Sequence, residues 1–397
     1  MDTDELNRLI RSLNAGGEEA GASRLELVRG DEAGTEAGGE SAAPEAAPLP
    51  AGLLALLTET VRRGGTDLLL VPGTPPAVRL HGRIEPLPGE PLGPQAIRGL
   101  VRPVLSAERR RRLAESGSVD LSLRVPAVGR FRVNVHRTQG GEAAALRPLP
   151  GRIPTLSELG LPVSLHDLTR AARGLVLVTG AAGSGKTTTL AALLDRVVGE
   201  EKKHVITIED PVEYEHRTRK SIVEQIEIGA DAPDFATALV SALRQNPDVL
   251  LVGEMRDEAT ARAVLTASET GHLVLTTAHT NDAPQTVHRI LDLFPPAQQT
   301  QVRQQLSLCL SAIVCQQLVP RRDGSGRAVA VEILLATDAV RAHIRRGQLH
   351  HLHNEITLGR RLGMVTMDDS LAALVRDGAV SPEEARLRAS HPDDLRA

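Results

Sequence analysis

The sequence predicts an α/β fold: a parallel sheet flanked by helices, preceded by a smaller α+β module and followed by a helical tail. Three observations carry that expectation. From Gly174 onward, short apolar runs of strand length alternate with helical segments, the order a parallel sheet requires. Between the first run, GLVLV (174–178), and the helical TTLAALLDRVV lies a glycine-rich turn. Upstream, DLSLRVP and GRFRVNVHR alternate apolar and polar residues as half-buried strands do.

The elements follow in order along the 397 residues, a length that suits two or three domains. A short helix is expected at 4–13, but residues 1–51 are otherwise dominated by Gly, Ala, Glu, Ser and Pro. They hold too few large apolar side chains to offset the entropy of ordering, and are expected to be disordered. Residues 52–150 form the α+β domain. LLALLTETVRR spaces its leucines for a helix, GGTDLLLVPGTPPAVRLHGRIEPL reads as short strands broken by Gly and Pro, and 95–115 reads as helical. A proline-bounded linker is expected at 151–173, the sheet domain at 174–335 and a helical C-terminal region at 336–397. Near its end Ser381 is placed to cap a helix, with Pro382 at the first helical position. No internal repeat is present.

Composition excludes several functions. Lys+Arg 46 against Asp+Glu 50 gives a formal net charge of −4, so no global positive field draws the chain to nucleic acid or an anionic membrane. Phe131, Phe235, Phe294 and Tyr214 are the only Phe, Tyr or Trp residues, which leaves few platforms for stacking bases. Cys309 and Cys315 lie in an apolar stretch and read as small buried hydrophobes. With neither a secretory opening nor an apolar run near the ~18 residues of a membrane helix, a cytoplasmic location without direct membrane insertion is expected.

The turn after GLVLV reads Gly180, Ala181, Ala182, Gly183, Ser184, Gly185, Lys186, Thr187, a full G-x-x-x-x-G-K-[ST], followed by Thr188. Its glycines let successive backbone N–H groups point at phosphate oxygens, which the positive end of the next helix also attracts. Lys186 is placed to bridge the terminal phosphates of ATP, and the Thr187 hydroxyl to ligate magnesium (Mg2+). Three further strand ends should converge there, since ligands of an open parallel sheet lie at its carboxyl edge. VITI (205–208) runs into Glu209 and Asp210, VLLV (249–252) into Gly253 and Glu254, and HLVLTTA (272–278) into His279. Glu254 is the candidate general base for the attacking water. Where an aspartate commonly precedes such a glutamate the chain has Gly253, leaving Glu209 or Asp210 to complete the magnesium shell. The residues thus point to ATP hydrolysis.

Four boxes, the phosphate loop, ITIEDPVEYEH (206–216), NPDVLLVGEMRD (246–257) and TGHLVLTTAHTNDA (270–283), together resemble the secretion-ATPase superfamily, which powers type IV pili and type II secretion. TDLLLVPGTPPAVRLHG (66–82), AVRAHIRRG (339–347) and LGMVTMDDSLAALVRDG (362–378) resemble the PilT-type twitching-motility retraction ATPases within it. The resemblance implies a RecA-like P-loop ATPase domain, a PAS-like N-terminal domain, a homohexamer, and attachment at the inner membrane through a pilus platform protein. It implies that Glu209 belongs to an acidic box, that His272 and His279 form a box sensing the γ-phosphate, and that Arg132 and Arg147 are arginine fingers. Assembly and type II secretion relatives typically carry a four-cysteine zinc element, which two cysteines cannot form. Such an assembly or secretion ATPase, a regulatory or accessory paralogue and a nucleic-acid translocase are the alternatives.

Overall fold

The computed structural model describes residues 49–80 and 82–392, with Arg8, Arg11 and Asn14; the expected N-terminal helix and disordered stretch lie largely outside the described residues. The chain divides into two compact units, Met1–Gly151 and Arg152–Ala397.

The first unit contains α1 (Ala51–Arg62), β1 (Asp67–Leu70), β2 (Ala77–Leu80), β3 (Arg83–Pro86), α2 (Pro94–Val101), α3 (Ala107–Ser116), β4 (Ser118–Val125), β5 (Gly129–Thr138) and β6 (Gly141–Leu149). The strands form an antiparallel sheet in the order β3-β2-β1-β6-β5-β4. Leu53, Leu56 and Leu57 of α1, spaced on one helical face, are buried with Phe131, Val133 and Val135 of β5 in a common core. The helical stretch expected at 95–115 is two helices. Pro103, which lacks an N–H, lies between them, and Ser106 restarts the helix by accepting from the Arg109 amide at 3.2 Å. On β5 the alternation leaves Arg132 on the face opposite Phe131 and Val133, directly across from Arg147 of β6.

The second unit runs α4 (Leu165–Leu168), β7 (Gly174–Thr179), α5 (Lys186–Glu200), β8 (His204–Glu209), β9 (Ile222–Glu227), α6 (Phe235–Ala242), β10 (Val249–Val252), α7 (Glu258–Glu269), β11 (Leu273–Ala278), α8 (Ala283–Asp292), α9 (Pro296–Cys309), β12 (Leu310–Pro320), β13 (Arg327–Leu335), α10 (Asp338–Arg346), α11 (Leu352–Leu358), α12 (Met367–Arg376) and α13 (Pro382–Arg386). Its sheet has the order β13-β12-β7-β11-β10-β8-β9. All neighbours pair in parallel except β12 and β13, which a short turn joins and which therefore must run antiparallel, so the sheet is mixed.

β7 is buried throughout, and apolar up to Thr179, because both its faces are covered. Leu175 and Leu177 pack with Val264 and Leu265 of α7, while Val176 and Val178 pack with Leu190 and Leu194 of α5. Two expected boundaries shift. Leu156, Leu161, Leu165 and Leu168, in the segment expected as a linker, enter the core on the α5 side, so 152–173 belongs to this unit. Val340, Ile344, Leu352 and Ile356 enter the opposite face, which makes α10 and α11 a layer of the same core, while Met367 and Leu371 of α12 and Ala385 of α13 pack with Val319, Ala328 and Ala330 of β12 and β13. Ser381 caps α13 as expected, accepting from the Glu384 amide at 3.2 Å.

Candidate active site

Strand register brings the functional loops together. Thr179 of β7 lies level with Ala278 of β11, and Val252 of β10 with Ile208 of β8, so the segments after these strands leave one edge of the sheet.

The loop after β7 is shaped by its glycines. A Cβ on Gly180 would come within 2.3 Å of the Gln316 carbonyl oxygen, and Gly183 and Gly185 adopt φ of +76° and +89°. Gly185 is the N-cap of the 15-residue α5, and no side chain caps that helix. Its first amides therefore keep their capacity for an anion, with the helix dipole behind them. The Ser184 hydroxyl is buried without a partner, a further sign that the loop is built around a polar ligand. Ala181, Ala182 and Gly183 are exposed at the rim. These features fit a nucleotide phosphate chain.

Lys186 is 8% exposed, and its Nζ donates to the Gly180 and Ala181 carbonyl oxygens, both at 2.9 Å. The ammonium also lies 3.5 Å from His279 Nδ1, and His279 Nε2 lies 3.7 Å from Glu254 Oε2. Burial depresses the Lys186 pKa against the opposing pull of Glu254 and Glu213; burial and the Lys186 charge depress that of His279. With an ammonium facing Nδ1, that nitrogen accepts, and the neutral imidazole carries its proton on Nε2 toward Glu254. Lysine, histidine and glutamate from three loops thus meet beside the phosphate loop.

Glu254 is anchored by Arg256, whose Nε lies 2.7 Å from Oε1. The strand end before it is held by Thr277, which donates to the Gly253 carbonyl at 2.7 Å. A Cβ at Gly253 would make only ordinary contacts, so space does not dictate glycine there. Glu209 ends β8. It is 6% exposed, and Oε1 accepts from the Thr207 hydroxyl at 2.8 Å and from Gln225 Nε2 at 3.3 Å. Burial pushes its pKa up to about 7. Asp210 is exposed beside it, and Thr188 shares a hydrogen bond of 2.9 Å with the Tyr214 hydroxyl. No cluster of three His, Cys, Asp or Glu side chains fit to hold a metal occurs among the described residues. Thr187 at the start of α5 and the carboxylates of Glu209 and Asp210 are oxygen donors, the type a hard divalent cation takes.

One expectation is corrected. His272 does not join His279, because it precedes β11 while His279 follows it, and the intervening strand spans ~20 Å at ~3.3 Å per residue. Its Nδ1 lies 2.9 Å from the Ala267 carbonyl oxygen at the end of α7, and its own carbonyl accepts from the Gly174 amide, so it braces the amino edge of the sheet. In the first unit, Arg147 pairs with Asp67 at 2.8 Å and Arg132 lies 3.9 Å from Asp120; both guanidinium groups are substantially exposed. Two like charges facing each other across a strand pair are unfavourable alone, and the flanking aspartates offset that. Sequence reasoning missed Arg256, Gln225, Thr277 and Gln316; of these only Arg256, within two residues of Glu254, carried a local signal.

A family model described as type II/IV secretion system protein matches residues 106–396. The type IV pilus retractation ATPase PilT of Pseudomonas aeruginosa is 40% identical over 340 residues, covering 86% of this chain and 98% of that protein. The type IV pilus ATPase PilU of the same organism is 40% identical over 341 residues, covering 86% and 89%. A crystal structure of the pilus retraction motor PilT with bound ADP superposes with a TM-score of 0.80 at 43% identity, covering 86% of this chain and 98% of that one.

Proposed function

The chain belongs to the type II/IV secretion system protein family, and from that premise we propose that it is the ATP-hydrolysing motor of type IV pilus retraction, working as a homohexamer on an inner-membrane platform protein. The observation that carries the chemistry is the line of contacts from Lys186 through His279 to Glu254 at the mouth of the phosphate loop.

In this reading the amides of 183–187 and Lys186 bind the triphosphate, and Thr187 with Glu209 or Asp210 would hold magnesium. Held there, the metal would supply charge neutralisation on the triphosphate. Lys186 leaves the loop carbonyls for the phosphates, and His279, neutral and carrying a proton on Nε2, contacts the γ-phosphate end. Glu254, held by Arg256, orients water and takes its proton. Arg132 and Arg147 act on the nucleotide of a neighbouring subunit, where a guanidinium can accelerate phosphoryl transfer ~10³ to 10⁵-fold. Nucleotide turnover then opens and closes the subunit junctions and turns the platform protein, drawing pilin subunits from the fibre.

The test is deletion of the gene in its own organism, with surface pili counted and twitching measured. Excess pili without movement is expected; normal pili with normal movement would sink the retraction reading. The equal likeness to PilU favours one second reading, an accessory ATPase that assists another retraction motor. It predicts partial retraction in the deletion strain, and loss of the remainder only when the other motor is also removed.

A further inference from the structure

We propose that Gln316, on β12, is a positioning residue of the phosphate loop that sets the direction of the Gly185 amide; the inference rests on the nucleotide reading above and extends it. Side chains alternate along β12: Ile313 and Cys315 enter the core on the α7 side, Ala312 and Val314 the core on the α5 side. Gln316 falls next on the α5 side. It lies level with Gly180, because Cys315 pairs with Thr179 of β7. An apolar residue would suit that position, yet a carboxamide 1% exposed occupies it.

Burying an amide is costly unless both of its ends are bonded. Here both are bonded to the phosphate loop and its helix. Nε2 donates to the Ser184 carbonyl at 2.5 Å, and Oε1 accepts from the Thr189 hydroxyl in the first turn of α5 at 2.9 Å. In a trans peptide the C=O and the following N–H point in opposite directions. Anchoring the Ser184 carbonyl toward β12 therefore turns the Gly185 N–H away from β12, where it can serve a phosphate. The anchor matters because Gly185, at φ +89°, has no Cβ to resist rotation of the peptide. Gln316 also gives two of the three loop glycines a steric reason, since a Cβ on Gly180 would strike its backbone carbonyl oxygen and one on Gly185 would come within 3.0 Å of Nε2.

The test uses the purified full-length chain, a fluorescent ADP analogue and steady-state ATP hydrolysis. Gln316→Met keeps the length and burial but removes donor and acceptor; Kd for the analogue and KM for ATP should rise about tenfold while kcat stays within about threefold. Thr189→Val removes only the hydroxyl that steadies Gln316 and should raise Kd about threefold, with no further loss when added to Gln316→Met. Wild-type affinity in Gln316→Met, or losses that add in the double variant, overturns the proposal. If Gln316→Met fails to fold, as its melting curve would reveal, Thr189→Val decides alone: unchanged affinity overturns the role and a loss supports it. Failure of the wild-type chain to bind the analogue would sink the nucleotide reading instead.

Discussion

β11 carries a histidine at each end, and their surroundings differ in the way that separates a reactive edge from a structural one. At the carboxyl end His279 is half-exposed and faces a lysine and a glutamate, with its pKa depressed. At the amino end His272 faces a backbone carbonyl and a threonine hydroxyl, and its own carbonyl joins the hydrogen-bond pattern of β7. Both residues sit in one short box of sequence, so proximity along the chain says little about shared chemistry. The direction of a strand decides which end can reach a ligand.

The contrast is broken or sharpened by mutation. Glu254→Gln should lower kcat ~10² to 10⁴-fold while ADP still binds, as loss of a general base requires. Equal turnover in variant and wild type would remove Glu254 from the mechanism. Arg132→Ala should lower kcat about 10²-fold or more, and mixing with a Lys186→Ala chain should recover part of the activity if the arginine serves a neighbour; no recovery at any ratio would exclude action between subunits. His279→Ala should cost about tenfold or more in kcat, whereas His272→Ala should leave kcat within about twofold. Should the two histidine variants lower kcat alike, the division of the strand into two unlike ends fails.

How much of this was readable beforehand depended on sequence distance. Gly180, Glu209, Glu254 and His279 each sit at or just after the end of an apolar run, a parallel sheet gathers such ends on one edge, and the spacing of the glycine-rich motif adds Lys186, so local pattern was enough to place them. Leu161, Leu165 and Leu168 keep a helical spacing, but Pro154, Gly160 and Pro162 interrupt the segment, which hence reads as linker until the burial of these leucines and of Leu156 is visible. Gln316 is separated from Ser184 by 132 residues, and its neighbour Gln317 is the same residue type. Only the pairing of β12 with β7 distinguishes the glutamine that grips the loop from the one beside it. Pro103, by contrast, was a local signal for the break between α2 and α3.

The smallest effect concerns stability, and it tests whether the carboxyl edge carries a cost that the amino edge does not. Glu209 is buried there with a pKa pushed up to about 7 from an ordinary 4.5, so the folded chain binds its proton more tightly than the unfolded chain does. That linkage stabilises the fold fully below about pH 4.5 and is lost as pH rises through about 7. Glu209→Gln mimics the protonated form and keeps an oxygen to accept from Thr207 and Gln225. Its melting midpoint without nucleotide should exceed that of the wild type by a few degrees at pH 8 and match it at pH 5, while Glu332, raised to about 7 by burial on β13, leaves a residual slope in both proteins. Equal gains at the two pH values would mean that the substitution acts through packing, and a lower midpoint at pH 8 would mean that the Glu209 charge is stabilising where it lies.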